Sequence, residues 1–240
     1  MATLDVRPPF SCFVTGTDTE VGKTLISSAL LHTLAGRGWR AAGMKPVAAG
    51  AVLREGIWCN DDADCLARAS SVKLPRAVAN PYLFKAAIAP HIAAAQEGIS
   101  VDLAHIADCY NLIQKLADAI VVEGVGGFQV PLTDKSDTAD LAERLGLPII
   151  LVVGLRLGCL SHTLLTVEAI AARGLLLVGW VANALDPDMP QRDANIATLT
   201  DRLSAPLLGE VPRLAVASAV SAAAHLDFTR LANWTDSRST

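Results

Sequence analysis

The stretch Phe13–Thr24, "FVTGTDTEVGKT", decides the fold. It opens apolar and β-prone, closes on Gly22-Lys23-Thr24, and runs into a helical pattern over Lys23–Gly36. Strand, glycine-bearing loop and helix, in that order, are the setting of a phosphate-binding loop. The helix N-terminus turns free N–H groups and a partial positive charge toward an anion. Lys23 would then reach the β- and γ-phosphates, and the Thr24 hydroxyl would ligate Mg²⁺. One detail departs from the usual G-x-x-x-x-G-K-[ST] spacing. Here five residues separate Gly16 from Gly22, and Asp18 and Glu20 are acidic.

Working outward, apolar runs of strand length alternate with longer amphipathic stretches. Strands are expected at Ser11–Thr15, Arg40–Met44, Ala119–Glu123, Ile149–Val153, Leu176–Val181 and Pro206–Gly209. These runs are apolar nearly throughout, as strands buried on both faces must be. Helices are expected at Lys23–Gly36, Asp61–Ala69, Val101–Leu116, Thr138–Leu145, Leu160–Ala172 and Pro190–Leu203. This alternation predicts an α/β fold of the P-loop NTPase kind: a mostly parallel, twisted sheet with right-handed crossovers and helices on both faces. With no internal repeat or linker, residues 1–240 read as one domain, with flexible ends at 1–9 and 235–240.

Composition narrows the function classes. Hydrophobic residues make up 52% and charged residues 18%, which suits a packed core rather than a disordered chain. The net charge is −4 and no basic stripe stands out, so no nucleic-acid partner is expected. The longest apolar run, Leu147–Leu155, is too short to span a bilayer, and no membrane association is expected. No signal peptide is read at the start. The five cysteines are scattered and form no C-x-x-C pair, so neither a disulfide framework nor a zinc site is implied, and a cytoplasmic setting is expected.

In a parallel sheet, ligands bind beyond the carboxyl ends of the strands. Four further segments fall there. "AIVVEGVGG" puts Glu123 at a strand tip before a glycine-rich turn, where a P-loop protein places the carboxylate that completes its Mg²⁺ site. "NDDADCLARASS" groups Asp61, Asp62 and Asp64 at a helix start, where acidic residues serve either the helix dipole or a metal. "GMKPVAAG" places Lys45 at a strand end beside the phosphate loop, suited to an anionic phosphoryl acceptor. "GWVAN" brings the polar Asn183 just past an apolar strand.

Together these segments resemble the dethiobiotin synthetase family, ATP-dependent enzymes of biotin biosynthesis. "FVTGTDTEVGKT", "AGMKPVAAG", "NPYLF", "PHIAAAQEG", "VEGVGG", "LPIILVVGLRLGC", "GWVAN" and "APLLGEVP" look like family segments in family order, over roughly Ser11 to Pro212. The five-residue glycine spacing is the family's own form of the loop. The resemblance implies a cyclo-ligase that forms C–N bonds. CO₂ (from bicarbonate) adds to one amine of 7,8-diaminononanoate, the carbamate takes the γ-phosphoryl group of ATP, and the second amine closes the ring, leaving dethiobiotin, ADP and phosphate.

The resemblance also implies site roles. Glu20, Val21, Gly22, Lys23, Thr24 and Leu25 would cradle the phosphates, with Gly124, Val125 and Gly126 opposite. Thr24, Asp62 and Glu123 would hold Mg²⁺, with Asp61 as the alternative to Asp62. Lys45 and Lys23 would be catalytic. Asn183, Pro212, Arg213 and Leu214 would form the base pocket. Thr19, Glu20, Lys45 and Ala49 would face the diamine, and Glu20's charge is expected to help orient it. Gly158, Cys159 and Ser161 would bind the substrate carboxylate across a homodimer interface, although plain helix capping accounts for that segment equally well. Three positions depart from familiar relatives: Ala49 and Ser161 replace a serine and an asparagine, and Ala184 replaces an aspartate. The Ser161 hydroxyl is expected to cap its helix.

Other classes fit less well. A partitioning-type ATPase of the deviant P-loop kind carries an additional lysine early in the loop, where this chain has Thr17 and Asp18. A GTPase switch requires N-K-x-D, and Asn183–Asp186 reads "NALD". A cobyrinate-type amidotransferase needs a glutaminase domain that 240 residues leave no room for.

Overall fold

The six long apolar runs pair side by side into one parallel sheet. The computed structural model describes residues 9–231 and Trp234. In chain order, β1 (Phe10–Gly16) leads through the phosphate loop into α1 (Lys23–Gly36), and β2 (Ala41–Met44) follows. A run of short elements comes next: β3 (Val47–Ala49), β4 (Val52–Arg54), β5 (Ile57–Cys59), α2 (Asp61–Ala69), α3 (Arg76–Ala79), β6 (Tyr82–Phe84) and α4 (Pro90–Gln96). Regular alternation then resumes with α5 (Leu103–Gln114), β7 (Ala119–Glu123), α6 (Thr138–Leu145) and β8 (Ile149–Leu155). The chain continues through α7 (Cys159–Ala172), β9 (Leu177–Ala184), α8 (Arg192–Arg202), β10 (Leu207–Val211) and α9 (Ala219–Ala223), with a 3₁₀ turn at Phe228–Arg230.

The sheet order is β10-β9-β8-β1-β7-β2, and each neighbouring pair runs parallel. Side chains alternate between its faces with the period of two that a strand imposes. On β7, Ile120 and Val122 enter one core layer while Ala119 and Val121 enter the other. Helices α5 and α6 pack on the first face, with α7 and α8 continuing it beneath β8 and β9. Helices α1 and α9 pack on the second face. Phe13, fully buried under the first layer, anchors β1; emptying such a site costs about 3–5 kcal/mol.

The predicted bounds of α1, α2, α6 and β7 coincide with the observed ones. Elsewhere the ends move by a few residues. The predicted Val101–Leu116 helix starts only after Asp102, whose carboxylate caps the Ala104 N–H. The predicted strand Leu176–Val181 continues to Ala184, because Asn183 and Ala184 keep pairing with Gly154 and Leu155. Asn183 therefore stands inside the strand end rather than after it. The two-stranded pairs β3–β6 and β4–β5 were not expected. The expected flexible ends, 1–9 and 235–240, lie outside the described residues, Pro9 apart.

Candidate active site

The phosphate loop leaves β1 at Gly16 and arches over five residues before Gly22. Glu20, at its crest, has φ 59°, a left-handed backbone seldom taken by a residue with a side chain. Such strain persists where the surroundings over-determine it, often at ligand sites. Gly22 is the N-cap of α1, with φ 93°. A Cβ there would lie 2.3 Å from Asn183 Nδ2, so glycine is required twice, by backbone angle and by space. Asn183 Nδ2 donates to the Val21 carbonyl at 2.9 Å, bracing the loop from β9. The Val21 side chain is buried in the core, and Leu25 packs against the same layer. Their backbone groups, not their side chains, are what this loop offers to phosphate.

Lys23 is buried, and its Nζ donates to the Asp18 carbonyl at 3.0 Å. Burial and the nearby Lys45 lower its pKa to about 8, against the pull of Glu123, Asp62 and Asp18. Lys45, at the end of β2, is also buried. Its Nζ donates to Glu123 Oε1 at 2.6 Å and to the Gly124 carbonyl at 2.9 Å, and lies 3.1 Å from Asp62 Oδ2. Burial alone would discharge Lys45; Glu123 and Asp62 outweigh it and hold the ammonium charged, above its ordinary range. Burial pushes the Asp62 carboxyl up, but Lys45, the neighbouring Thr24 hydroxyl and Lys23 hold it below the usual carboxylate range.

Thr24 Oγ1 donates to Glu123 Oε1 at 2.8 Å, so Thr24, Lys45, Asp62 and Glu123 meet at one point. Glu123 is fully buried and its Oε2 has no hydrogen-bond partner. A buried, unpartnered carboxylate oxygen is expensive, and a cation beside it removes that cost. Among the described residues no three His, Cys, Asp or Glu side chains gather as a metal-binding group. The donors here are two carboxylates and a hydroxyl, which suit a hard cation that takes its other oxygens from phosphate and water. Asp61 lines the same cavity as Asp62, but its Oδ1 accepts from Arg54 Nη2 at 2.6 Å.

Lys23, Thr24, Lys45 and Asp62 line one cavity of about 790 Å³, while buried Glu123 borders a separate hollow with Gly124, Val125 and Leu141. The 790 Å³ cavity gathers Thr19, Glu20, Gly22, Lys23, Thr24, Lys45, Ala49, Asp62, Val125 and Gly126. Ala87–Pro90 and Val130, to which the sequence assigned no role, add an apolar part to its lining. Asn60 is a second residue without an assigned role. Its Oδ1 caps α2 by accepting from the Asp62 and Ala63 N–H groups, and its Nδ2 donates to the Ala49 carbonyl at 3.3 Å. Asn before an acidic run is a readable N-cap signal. Asn80 braces the Lys45 carbonyl at 2.7 Å, a contact with no local signature.

The remaining predicted residues lie apart from this cavity. Pro212 lines a smaller hollow of about 170 Å³ with Ala182, Ala184 and Glu210. Exposed Arg213 donates to the Leu185 carbonyl at 3.1 Å, and Leu214 packs against the core layer under α1. Gly158 is the N-cap of α7 and Cys159 is buried behind it. Ser161 is exposed and, contrary to expectation, makes no capping bond: the N-cap is Gly158, three residues earlier. A separate cavity of about 370 Å³, lined by Phe10, Tyr110 and Pro148 among others, lies at the opposite end of the sheet and holds none of the predicted residues.

The parallel sheet and the Gly-Lys-Thr loop at a helix N-terminus define a P-loop nucleotide-binding fold. The MinC:MinD cell division protein complex of Aquifex aeolicus shares it, with a TM-score of 0.54 at 16% identity, over 86% of this chain and 82% of that one. Cell division protein FtsY of Thermotoga maritima shares it too, with a TM-score of 0.51 at 13% identity, over 92% of this chain and 66% of that one. A family model described as "AAA domain" matches residues 11–221. ATP-dependent dethiobiotin synthetase BioD of Janthinobacterium sp. (strain Marseille) is 61% identical over 229 residues, which is 94% of this chain and 97% of that protein. The chain belongs to the dethiobiotin synthetase family.

Proposed function

We propose that this chain makes dethiobiotin from 7,8-diaminononanoate, CO₂ and ATP. The observation that carries the reading is the composition of the 790 Å³ cavity. It joins a phosphate loop to a buried lysine held between two carboxylates, and adds an apolar part to the lining. Hydrolysis of a nucleotide alone has no use for that part; an aliphatic diamine has.

The steps follow from the charges. One amine adds to CO₂ and loses a proton, giving a carbamate. The carbamate and the triphosphate are both anions, so they approach in line only where positive charge stands between them. Lys23 and Lys45 supply that charge from two sides. Lys45 is kept protonated by Glu123 and Asp62, and an incoming anion can take over its ammonium. The carbamate oxygen attacks the γ-phosphorus as ADP leaves. The second amine then attacks the carbamate carbon, phosphate departs, and the ureido ring closes. Mg²⁺, held by Thr24, Asp62 and Glu123, would neutralise phosphate charge. Glu20, exposed at the crest of the loop, faces the cavity where a protonated amine can meet it. Asn183, Pro212, Arg213 and Leu214 would form the base pocket, partly through backbone atoms.

The reading includes a homodimer. Gly158, Cys159 and Ser161 do not line this chain's own cavity, so their place in the site would be a partner's. Leu157, 96% exposed beside them, supports that surface as an interface. A cytoplasmic setting accords with five free cysteines. Among the described residues no helix is long and apolar enough to cross a membrane.

Purified protein given 7,8-diaminononanoate, bicarbonate, ATP and Mg²⁺ should release phosphate and form a ureido product. Absence of that product sinks the assignment, and light scattering at the mass of one chain removes the dimer.

A further inference from the structure

Asp18 lies within the five-residue arc between Gly16 and Gly22. All three of its acceptor groups are engaged. Oδ1 accepts from the Thr19 N–H at 2.7 Å, the backbone carbonyl accepts from Lys23 Nζ at 3.0 Å, and Oδ2 is paired with Arg156 Nη2. Arg156 follows directly on β8, and its own carbonyl accepts from the Cys159 N–H at 3.0 Å, in the opening turn of α7. A continuous set of contacts therefore runs from the Lys23 ammonium through Asp18 and Arg156 to the start of α7. Two lighter bonds knit the same strand ends: Thr17 N–H to the Val152 carbonyl at 3.0 Å, and Gly154 N–H to Thr17 Oγ1 at 3.4 Å.

Both side chains of the Asp18–Arg156 pair are 43% exposed. Pairs that wet contribute little to folding, so stability gives no reason for this one. Its place does. It ties the end of β8 to the residue whose carbonyl accepts from Lys23.

We propose that Arg156 is a positioning residue for the nucleotide: through Asp18 it holds the arc in the shape that aims Lys23 at phosphate, and it joins that arc to the first turn of α7. The inference rests on the ATP-dependent reading above. When phosphate draws the Lys23 ammonium away from the Asp18 carbonyl, the Arg156 contact is what keeps the arc from relaxing.

The test is calorimetric titration of the full chain with a non-hydrolysable ATP analogue and Mg²⁺, for wild type, Arg156→Ala, Arg156→Lys, Asp18→Ala and the double variant. Losing a charge-assisted hydrogen bond at a binding loop should raise Kd about tenfold in Arg156→Ala. KM for ATP should rise in proportion with kcat changing less, while Tm moves by under about 2 °C. Arg156→Lys should recover most of the affinity. In the Asp18→Ala background, Arg156→Ala should do nothing further. Equal Kd for wild type and Arg156→Ala overturns the inference. So does an undiminished Arg156→Ala effect in the Asp18→Ala background, which would mean that Arg156 touches the nucleotide itself. A wild-type chain that binds no analogue overturns the ATP-dependent reading and this inference together; a chain that binds, with Arg156→Ala binding equally, overturns this inference alone.

Discussion

Two clusters of charge in this molecule look alike in composition and differ in every physical respect. Lys45 sits among Asp62 and Glu123; Arg173 sits among Asp137, Asp140 and Glu143. The first cluster stands at the carboxyl end of the sheet, with Lys45 and Glu123 almost without exposure and Asp62 half-exposed at its edge. It leaves Glu123 Oε2 unpartnered. The second is partly exposed at every member, and none of its side-chain atoms is buried without a partner. Asp137 and Asp140 form a reciprocal capping box at the start of α6, and Arg173, beyond α7, ties that box to the next helix. A cluster that serves folding satisfies its own groups. One that leaves a buried acceptor open is arranged for something it does not contain.

The largest effect should come from Lys45→Ala. Removing a charge aimed at the transferring phosphoryl group should lower kcat by roughly 10³-fold, with analogue binding nearly intact because the phosphate loop is untouched. Truncation also leaves Glu123 buried without its main partner, which costs about 3–5 kcal/mol when one member of a buried pair is removed. Steady-state kinetics and thermal melts check both. Turnover within a few-fold of wild type would take Lys45 out of the mechanism and erase the contrast with Arg173.

Two glycines extend the comparison. Gly22 and Gly146 both have left-handed backbone, at φ 93° and 62°. A Cβ on Gly22 collides with Asn183, whereas a Cβ on Gly146, the C-cap of α6, meets nothing within 4 Å. Gly22→Ala should therefore weaken binding of the ATP analogue by tenfold or more, since either the loop or the Asn183 brace must shift. Gly146→Ala should carry only the backbone penalty, about 1–2 kcal/mol of stability, with Kd unchanged. Comparable losses of ATP affinity in the two variants would mean that Gly22 matters for folding alone.

The same contrast marks what could be read in advance. α6 was legible to the residue, because Asp137 before an amphipathic run and Gly146 after it are local signals of start and stop. α2 was legible for the same reason, through Asn60. Lys23 and Thr24 were legible as the Gly-Lys-Thr end of a loop between strand and helix, and Lys45 and Glu123 because each stands where an apolar run ends, the edge where such sheets bind ligands. The short strands between Val47 and Phe84 left no trace: three residues cannot display a period. The end of β9 was hidden by the polar Asn183 inside it. The pairings of Asp18 with Arg156, Asn80 with the Lys45 carbonyl, and Asn183 with the Val21 carbonyl join residues far apart in the chain. Nothing local marks them, and only the crossing of the strands brings them together.

The smallest effect belongs to the structural cluster, and its sign can be worked out. Burial raises the Asp140 pKa, but the Asp137 backbone N–H and the Arg173 side chain outweigh it and hold the carboxyl below its ordinary value of 3.8. A carboxyl lowered by folding stabilises above its unfolded pKa and loses that contribution as pH falls through the folded one. Arg173→Ala should thus lower Tm at neutral pH by about 2–4 °C, the equivalent of about 1 kcal/mol for a partly wet network. The gap between variant and wild type should shrink as pH drops below 3.8 and the carboxyl is protonated in both. Thermal melts across that range decide it. A gap that stays constant to low pH would assign the effect to packing of the Arg173 stem, and the capping box would stand without help from the guanidinium. At neutral pH, phosphate release should be unaffected by Arg173→Ala, because this network touches none of the groups that line the cavity.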